Sequence, residues 1–271
     1  MTNPPFPILY EDNHVLAVVK PAELPTMGVA SDRASLLSVA KQYIGEKYNK
    51  PGNVYLGIVS RLDAPVTGIV VLARTSKAAG RLAQQFRDRE VDKSYWALVE
   101  MQPDPPEATL VDWVRKDERH RKVLLTQPNA PGAQEARLTY RTIKPVRRAV
   151  LIEVDLETGR KHQIRVQLTA QQMPVLGDRK YKSRFPFEPG IALHARQLRF
   201  AHPVKKNADG TDRARSPILA PVRGTRLTPD QKHLRPPHAS RRELHQFPPS
   251  ASVESILSLI PISEPTRRGM R

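Results

Sequence analysis

Short runs of alternating or continuous apolar residues recur along the chain from residue 8 to about residue 204. A period of two is typical of a strand with one buried face, whereas a continuous apolar run is typical of a strand covered on both faces. The predicted strands lie in 8–20, with a turn at 11–13, and in 69–73, 92–100, 123–126, 137–143, 149–159 and 196–204. The continuous run at 69–73 is expected at the centre of a sheet.

Two segments have apolar residues at helical spacing. The first predicts a helix over about 35–47. In the second, Ser76 is placed to cap a helix whose apolar residues follow an i, i+3, i+4, i+7 stripe. That stripe comprises Ala79, Leu82, Ala83 and Phe86. A third segment, ETGRKHQIRVQLTA at 157–170, fits a helix and a strand equally, so periodicity leaves its type open.

Strands and helices do not alternate regularly, and no internal repeat of 20 to 50 residues is present. This pattern predicts an α+β fold, either one large domain or two closely packed halves. We place the globular domain at residues 1–225 and a disordered or extraneous tail at 226–271, where Pro, Ser and basic residues lack sustained periodicity.

The charge of the chain indicates a polyanionic partner. Its 271 residues carry a formal net charge of +17, and the tail accounts for only +4 of it, so 17 minus 4 leaves +13 on the rest. Clustered Lys and Arg side chains gain free energy by releasing the counterions condensed on nucleic acid phosphates. Nucleic acid is therefore the expected partner.

Other features narrow the class of protein. The absence of cysteine excludes disulfides, thiolate zinc sites and a cysteine nucleophile, and no HExxH or carboxylate-rich loop is present, so we expect no metal. No apolar run is long enough to cross a membrane, and the first residues do not resemble a secretory signal. The expectation is a cytoplasmic, monomeric protein without a membrane partner.

The run SRLDAPVTG contains the first candidate chemistry. If 59–63 is a short strand, Arg61 and Asp63 emerge on one face while Leu62 points into a core. The alternative is an aspartate that closes a strand before a turn, with a surface arginine beside it. On a helix, His162 and Arg165 would share a face, and there the alternative is a helix that displays cations to solvent.

Six runs occur in an order that resembles the RluA-type family of RNA pseudouridine synthases, over about residues 8–203. They are KPAELP, SRLDAPVTGIVVLARTSKAA, DKSYWALVE, ETGRKHQIRVQLTA, LGDRKY and LHARQLRFAHP. The resemblance implies an α+β catalytic domain with a mixed, mainly antiparallel sheet, flanking helices and a central cleft. It also implies isomerisation of uridine to pseudouridine in tRNA or rRNA, without cofactor or metal. Too few residues precede residue 8 for the small S4 RNA-binding domain that many relatives carry, so none is expected at the N-terminus.

The resemblance also implies roles for individual residues. Asp63 matches the essential aspartate of the family and would be the nucleophile, although attack on uracil C6, attack on ribose C1′ and deprotonation at C2′ all stay open. Arg165 would favour the ionised carboxylate. Tyr95 suits base stacking and proton transfer, or is simply a half-buried sheet tyrosine. Arg61 would support base flipping, and Lys93 and His162 would bind RNA.

Four positions depart from the pattern of the family. Ser60 stands where histidine is usual, Glu23 and Met101 stand where glycine is common, and Lys161 stands where threonine is common. The serine puts the support of Arg61 and the choice of RNA target in question. The alternative function is a catalytically silent RNA-binding protein on the same fold, while an RNA hydrolase has little support because neither a metal site nor an acid and base pair is visible.

Overall fold

The computed structural model of the protein describes residues 4–28 and 33–204, together with the backbone of 216–219. The chain divides into two units, Met1–Ala220 and Pro221–Arg271, and the described residues all belong to the first. The predicted tail from about residue 226 lies outside the described residues and stays a prediction.

Eleven strands, three α-helices and a 3-10 turn at Arg179–Tyr181 are present in the described part of the chain. The strands are β1 (Ile8–Glu11), β2 (Val15–Lys20), β3 (Gly57–Ile58), β4 (Thr67–Ala73), β5 (Asp92–Val99), β6 (Glu107–Asp117), β7 (Lys122–Thr126), β8 (Gln134–Val146), β9 (Ala149–Leu156), β10 (Leu193–Phe200) and β11 (Ser216–Leu219). The helices are α1 (Leu36–Lys47), α2 (Ser76–Arg87) and α3 (Gln163–Ala170). The ambiguous segment at 157–170 is thus a loop followed by a helix.

These strands form one sheet, whose main path runs β1, β2, β4, β10, β5, β9, β8, β6, β7. Along that path the neighbours are antiparallel except β4 and β10, which are parallel over two residue pairs. Short β3 pairs with β4, and β11 pairs with β10. A mainly antiparallel sheet with irregularly placed helices confirms the predicted α+β class. The apolar run of β4 is an interior strand, although the middle of the path is β5.

Helices cover both faces of β2 and β4, which explains the continuous apolar sequence there. On one face, Leu72 packs in a cluster with Leu36 and Ile44 of α1. On the other face, Val71 packs in a cluster with Leu82 of α2. Each such buried side chain contributes roughly 1.5–3 kcal/mol relative to an exposed one. The first half of the sheet is therefore a rigid platform for the loops at its edge.

The second half of the sheet has its own, smaller cluster. Val166 of α3 and Tyr181 pack against Val114, Val123 and Ala136 of β6, β7 and β8. Helix α3 therefore lies on the outer strands, and the loop between β3 and β4 belongs to the other half of the molecule.

Two local expectations are wrong. Residues 59–63 are not a strand, because the strand ends at Ile58 and the following backbone bonds to other parts of the fold. Helix α2 is capped by Thr75 and not by Ser76, since Thr75 has extended backbone angles and its side chain accepts a hydrogen bond from the Ala78 N–H.

Candidate active site

A cleft of about 1320 Å³ opens beside the loop between β3 and β4 and is bordered on its other side by the start of α3. All the predicted site residues line it, namely Arg61, Asp63, Lys93, Tyr95, His162 and Arg165. Asp63 and Arg165 are 102 residues apart in sequence, so only the fold brings them together.

Hydrogen bonds from three separate segments fix the loop that carries Asp63. The hydroxyl of Thr26 donates to the Leu62 carbonyl at 2.9 Å and accepts from the Leu62 N–H at 3.1 Å. The Lys20 ammonium donates to the Ala64 carbonyl at 3.0 Å, and the Ile191 N–H donates to the Pro65 carbonyl at 3.1 Å. These bonds replace a strand ladder, because buried backbone polar groups must be paired somewhere.

Asp63 forms an ion pair with Arg165. The Arg165 Nη1 lies 2.8 Å from the Asp63 Oδ2, and the Asp63 side chain is 25% exposed to the cleft. Among the described residues, the other carboxylate oxygen, Oδ1, accepts no hydrogen bond. One carboxylate oxygen is therefore anchored, and the side chain remains accessible from the cleft.

Arg165 is itself held by a second carboxylate. Its Nε and Nη2 lie 2.6 and 2.8 Å from the two oxygens of Asp178, and both side chains are almost fully buried. Burial alone would lower the pKa of Arg165, but the bonds to Asp178 and the charge of Asp63 raise it above its ordinary value. The guanidinium thus stays charged and oriented. The alternative of a helix that shows its cations to solvent is wrong for Arg165.

Lys20 is fully buried behind the same loop. Its ammonium donates to the carbonyls of Pro21 and Leu24 at 2.8 Å each, and to that of Ala64. Burial lowers the pKa of Lys20 to about 8, while the nearby negative charge of Asp63 acts in the opposite direction. Lys20 therefore ties the end of β2 to the residue that follows Asp63.

His162 lies between Asp63 and the 3-10 turn. Its Nε2 is 3.7 Å from the Asp63 Oδ2, its Nδ1 is 2.8 Å from the Tyr181 hydroxyl, and its side chain is only 7% exposed. Burial lowers the pKa of His162 to about 4 despite the opposing charge of Asp63. The imidazole is therefore neutral at pH 7.

Tyr95 comes from β5, where it pairs in register with Ala195 of β10 and Val154 of β9. Its ring lines the cleft. Burial raises the pKa of Tyr95, and the charge of Asp63 raises it further, so the phenol stays protonated at neutral pH. A neutral phenol beside a carboxylate is suited to stacking and to donating a hydrogen bond.

Arg61 and Lys93 occupy the outer part of the cleft. Arg61 is exposed, and within the described residues it makes no ion pair with Asp63. Lys93 is half-buried, and burial lowers its pKa, with Asp92 opposing the shift and Arg89 adding to it. Both cations are open to an anionic ligand, as a phosphate contact requires.

Cations dominate the cleft as a whole. Eight Lys or Arg and two Asp or Glu line it. The basic residues are Arg61, Arg87, Arg89, Lys93, Lys116, Arg160, Lys161 and Arg165, and the acidic ones are Asp63 and Glu157. An acidic group is thus placed inside a basic depression, which concentrates a polyanion at the carboxylate.

Asp178, Lys20 and Tyr181 are important parts of the site that sequence reasoning missed. Asp178 and Tyr181 lie in the run LGDRKY, and Lys20 lies in KPAELP, but spacing alone gave none of them a partner. Asp178 binds Arg165, Lys20 binds the Ala64 carbonyl, and Tyr181 bonds to His162. Each partner is distant in sequence or is a backbone atom. The sequence feature that could have identified them is that both runs are among the six that carry the family resemblance.

Two of the departures have a local explanation. Glu23 has a φ of 62°, in the left-handed region that favours glycine, which accounts for the usual residue at this position. The Ser60 hydroxyl accepts a hydrogen bond from the Val71 N–H at 3.3 Å and so fastens the loop to β4. Ser60 thus supports the backbone next to Arg61.

No helix among the described residues combines the length and hydrophobicity that a membrane span requires. In the same part of the chain, no group of three or more His, Cys, Asp or Glu side chains is arranged to hold a metal ion.

Comparisons with known proteins find relatives of this chain. The family described as RNA pseudouridylate synthase matches residues 14–170. The ribosomal large subunit pseudouridine synthase D of Zymomonas mobilis subsp. mobilis is 32% identical over 211 residues, which are 74% of this chain and 66% of that protein. The chain thus spans slightly less than two thirds of this relative.

Solved structures show a similar fold. Human RNA Pseudouridylate Synthase Domain Containing 4 has a TM-score of 0.64 at 23% identity, covering 79% of this chain and 88% of that chain. Human RNA Pseudouridylate Synthase Domain Containing 1 has a TM-score of 0.63 at 20% identity, covering 80% and 84%. At these identities the two structures support the fold.

Proposed function

The chain belongs to the RNA pseudouridylate synthase family, as its resemblance to RluA-type enzymes predicted, and from this premise we propose that it isomerises uridine to pseudouridine in RNA with Asp63 as the nucleophile. One observation carries the proposal: the Asp63 carboxylate is anchored by Arg165 at 2.8 Å and opens onto a cleft lined by cations. A protein that only binds RNA gains nothing from a negative charge at the centre of that depression.

The reaction needs no second substrate. The N1–C1′ bond breaks, the uracil turns, and a C5–C1′ bond forms, while C5 loses a proton and N1 gains one. Asp63 must begin this sequence as an ionised carboxylate, whether it attacks C6, attacks C1′ or takes a proton from C2′. Arg165 favours that ionised state through its charge and its hydrogen bond. The three routes therefore share the same requirement of the site.

Tyr95 is assigned to the base. Its raised pKa keeps it neutral, which suits stacking of the ring against a flipped uracil and a hydrogen bond from the phenol. A neutral phenol relays the C5 proton only if it releases its own proton in the same step. Replacing Tyr95 by phenylalanine is thus expected to preserve stacking and to slow the proton transfer by about 10²-fold or more.

The substrate is ribosomal or transfer RNA. A uridine in a stacked region must flip into the cleft, at a cost of roughly a few kcal/mol. Arg61 would fill the space left by the base or bind a flanking phosphate, and Lys93 would bind the backbone. The name of the Zymomonas relative favours ribosomal RNA among the two substrates. Cytoplasmic location and a monomeric state stay predictions.

The decisive experiment maps pseudouridine after incubation of bulk tRNA and rRNA with the protein. Carbodiimide-dependent stops of reverse transcription are compared for the wild type, Asp63→Asn and a matched control, Asp88→Asn, in which the exposed carboxylate lies outside the cleft. New stops are expected with the wild type and Asp88→Asn, and none with Asp63→Asn. RNA binding without new stops in the wild type would instead support the catalytically silent RNA-binding protein.

RNA binding is tested separately through its salt dependence. Lys93→Met is expected to weaken binding across RNA sequences and to reduce the slope of log Kd against log salt by about 0.7–0.9, the contribution of one phosphate contact. Lys50→Met, an exposed lysine that does not line the cleft, serves as the control. An equal change in the two slopes would remove Lys93 from the RNA interface.

A further inference from the structure

His162 has a position that direct RNA binding does not explain. It stands at the N-cap of α3 in the left-handed region, with φ of 52° and ψ of 19°, yet its side chain makes no capping hydrogen bond. A single residue other than glycine in this conformation costs roughly 1–2 kcal/mol. Its ring is buried and turned away from solvent, toward Asp63 on one side and Tyr181 on the other.

The hydrogen-bond network around Tyr181 is compatible with two positions of the proton on His162. The Tyr181 hydroxyl already accepts a hydrogen bond from the Val123 N–H at 2.9 Å. It has one hydrogen to give and two acceptors within reach, the His162 Nδ1 at 2.8 Å and the Val123 carbonyl at 3.2 Å. If the hydroxyl donates to the nearer nitrogen, the hydrogen of the neutral ring is on Nε2. If it donates to the Val123 carbonyl, its second lone pair can accept from an Nδ1–H.

The charges around the ring select the first arrangement, with the hydrogen on Nε2. With a hydrogen on Nδ1, the lone pair of Nε2 would point toward the anionic Asp63 Oδ2 at 3.7 Å, which is repulsive. With a hydrogen on Nε2, an N–H dipole points toward that oxygen. The other charged groups that act on His162 are the cations Arg165, Lys161 and Lys180, and all three oppose a positive charge on the ring. Neutral His162 with its hydrogen on Nε2 satisfies both neighbours.

We propose that Tyr181 holds His162 as a neutral Nε2–H donor directed at Asp63, so that His162 is a positioning residue of the nucleophile and not an RNA contact. At 3.7 Å the pair is longer than a hydrogen bond, and such contacts commonly tighten when substrate binds. A neutral donor orients the carboxylate without adding a second cation to the one on Arg165. The catalytic part of this inference rests on the proposed function.

The tautomer is measured first, without any activity. In protein labelled with ¹⁵N in histidine, the two ring nitrogens of His162 are assigned by their loss in His162→Gln and followed from pH 5.5 to 8.5. The expected result is a hydrogen on Nε2 and none on Nδ1 over this whole range. In Tyr181→Phe, the constraint on Nδ1 is lost, and a mixture of tautomers is expected. A hydrogen on Nδ1, or an imidazolium at pH 7, in the wild type would overturn the proposal.

The role toward Asp63 is measured with two unbranched replacements of similar length. His162→Gln retains an N–H donor near the position of Nε2, and His162→Met does not. In single-turnover reactions on RNA, His162→Met is expected to lose about tenfold or more in rate, the effect of one hydrogen bond to a charged group, and His162→Gln to recover most of it. The Kd for RNA should not change in either variant, because the side chain is buried.

The outcomes separate this proposal from its alternatives. Weaker RNA binding with an unchanged single-turnover rate would make His162 an RNA contact and overturn the positioning role. Equal losses in the glutamine and methionine variants, with matched unfolding midpoints, would show that no donor is needed and would overturn it as well. If the wild type forms no pseudouridine, the proposed function fails, and the ¹⁵N spectra still decide whether His162 presents Nε2–H.

Discussion

Asp63 and Asp178 bind the same guanidinium, yet the structure predicts opposite consequences when each becomes asparagine. Asp178→Asn is expected to destabilise the fold strongly. Asp63→Asn is expected to leave stability almost unchanged while it abolishes activity. The reason is that the two carboxylates differ in burial and in the number of hydrogen bonds they accept from Arg165.

The magnitude follows from these contacts. Asp178 accepts two hydrogen bonds from Arg165, at 2.6 and 2.8 Å, and its side chain is 1% exposed. Removing one partner of such a buried pair costs roughly 3–5 kcal/mol. Asparagine keeps one acceptor but turns an N–H group toward the guanidinium, so we expect about 3 kcal/mol. That is a large share of a total of roughly 5–15 kcal/mol.

Asp63 offers a contrasting balance. It accepts one hydrogen bond from Arg165, and its side chain is 25% exposed, so its charge remains partly solvated. Replacing it leaves Arg165 paired with Asp178 and removes the repulsion between two carboxylates around one cation. The lost hydrogen bond and the relieved repulsion offset each other, and the expected change is about 1 kcal/mol or less.

Urea unfolding of the full chain, followed by the fluorescence of Trp96 and Trp113, measures both changes. With an m-value of roughly 2 kcal/mol/M, a loss of 3 kcal/mol lowers the midpoint by about 1.5 M. Asp88→Asn is the matched surface control. Were Asp63→Asn to lower the midpoint as much as Asp178→Asn, the division into a structural and a functional carboxylate would be wrong.

Three further predictions concern buried residues. Burial lowers the pKa of both His162 and His194 from 6.5 to about 4. Between these pH values the unfolded chain binds more protons than the folded one, so the free energy of unfolding falls with decreasing pH, by up to about 1.4 kcal/mol per pH unit for each histidine. Urea midpoints that stay flat from pH 6.5 to 4.5 would contradict this. Gly68→Ala should disrupt the pairing of β4 with β10 and yield unfolded or insoluble protein, because the φ of Gly68 is 115° and a Cβ there would lie 2.3 Å from the Ala195 carbonyl oxygen. The control is Gly80→Ala, which has open space around the added Cβ and should fold normally. Lys20→Met removes the donor of three backbone carbonyls and should lower stability by about 3 kcal/mol; an unchanged midpoint would show that water replaces the ammonium.

Most of the elements of the fold were predictable because their signals are local. The continuous apolar run at 69–73 predicts a strand buried on both faces, and the alternation at 92–100 predicts a strand with two different faces. Both segments are strands. The segment at 59–63 was not predictable in this way. Its alternation of Leu62 with polar neighbours fits a strand, but the Leu62 backbone bonds to the Thr26 side chain and the Ala64 backbone just beyond it bonds to Lys20.

The site was predictable only as far as a family resemblance carries it. The resemblance identified Asp63 and Arg165, and the structure brings them within 2.8 Å. Nothing in the local pattern around Arg165 distinguishes a buried guanidinium from a surface one, because a helix of eight residues with an arginine at its third position fits both. The deciding residue is Asp178, which lies 13 positions away on another element.

The loop that carries Asp63 explains why a nucleophile is placed outside the sheet. A strand residue has its neighbours set by the ladder, so its side chain points straight up or down from the sheet. The position of Asp63 is instead fixed by Thr26, Lys20 and Ile191, which form hydrogen bonds to the backbone on both sides of it. Because Lys20 and Thr26 belong to the first half and Ile191 to the segment before β10, while Arg165 belongs to the second half, the ion pair spans the cleft. The position of the carboxylate therefore depends on contacts from both ends of the sheet.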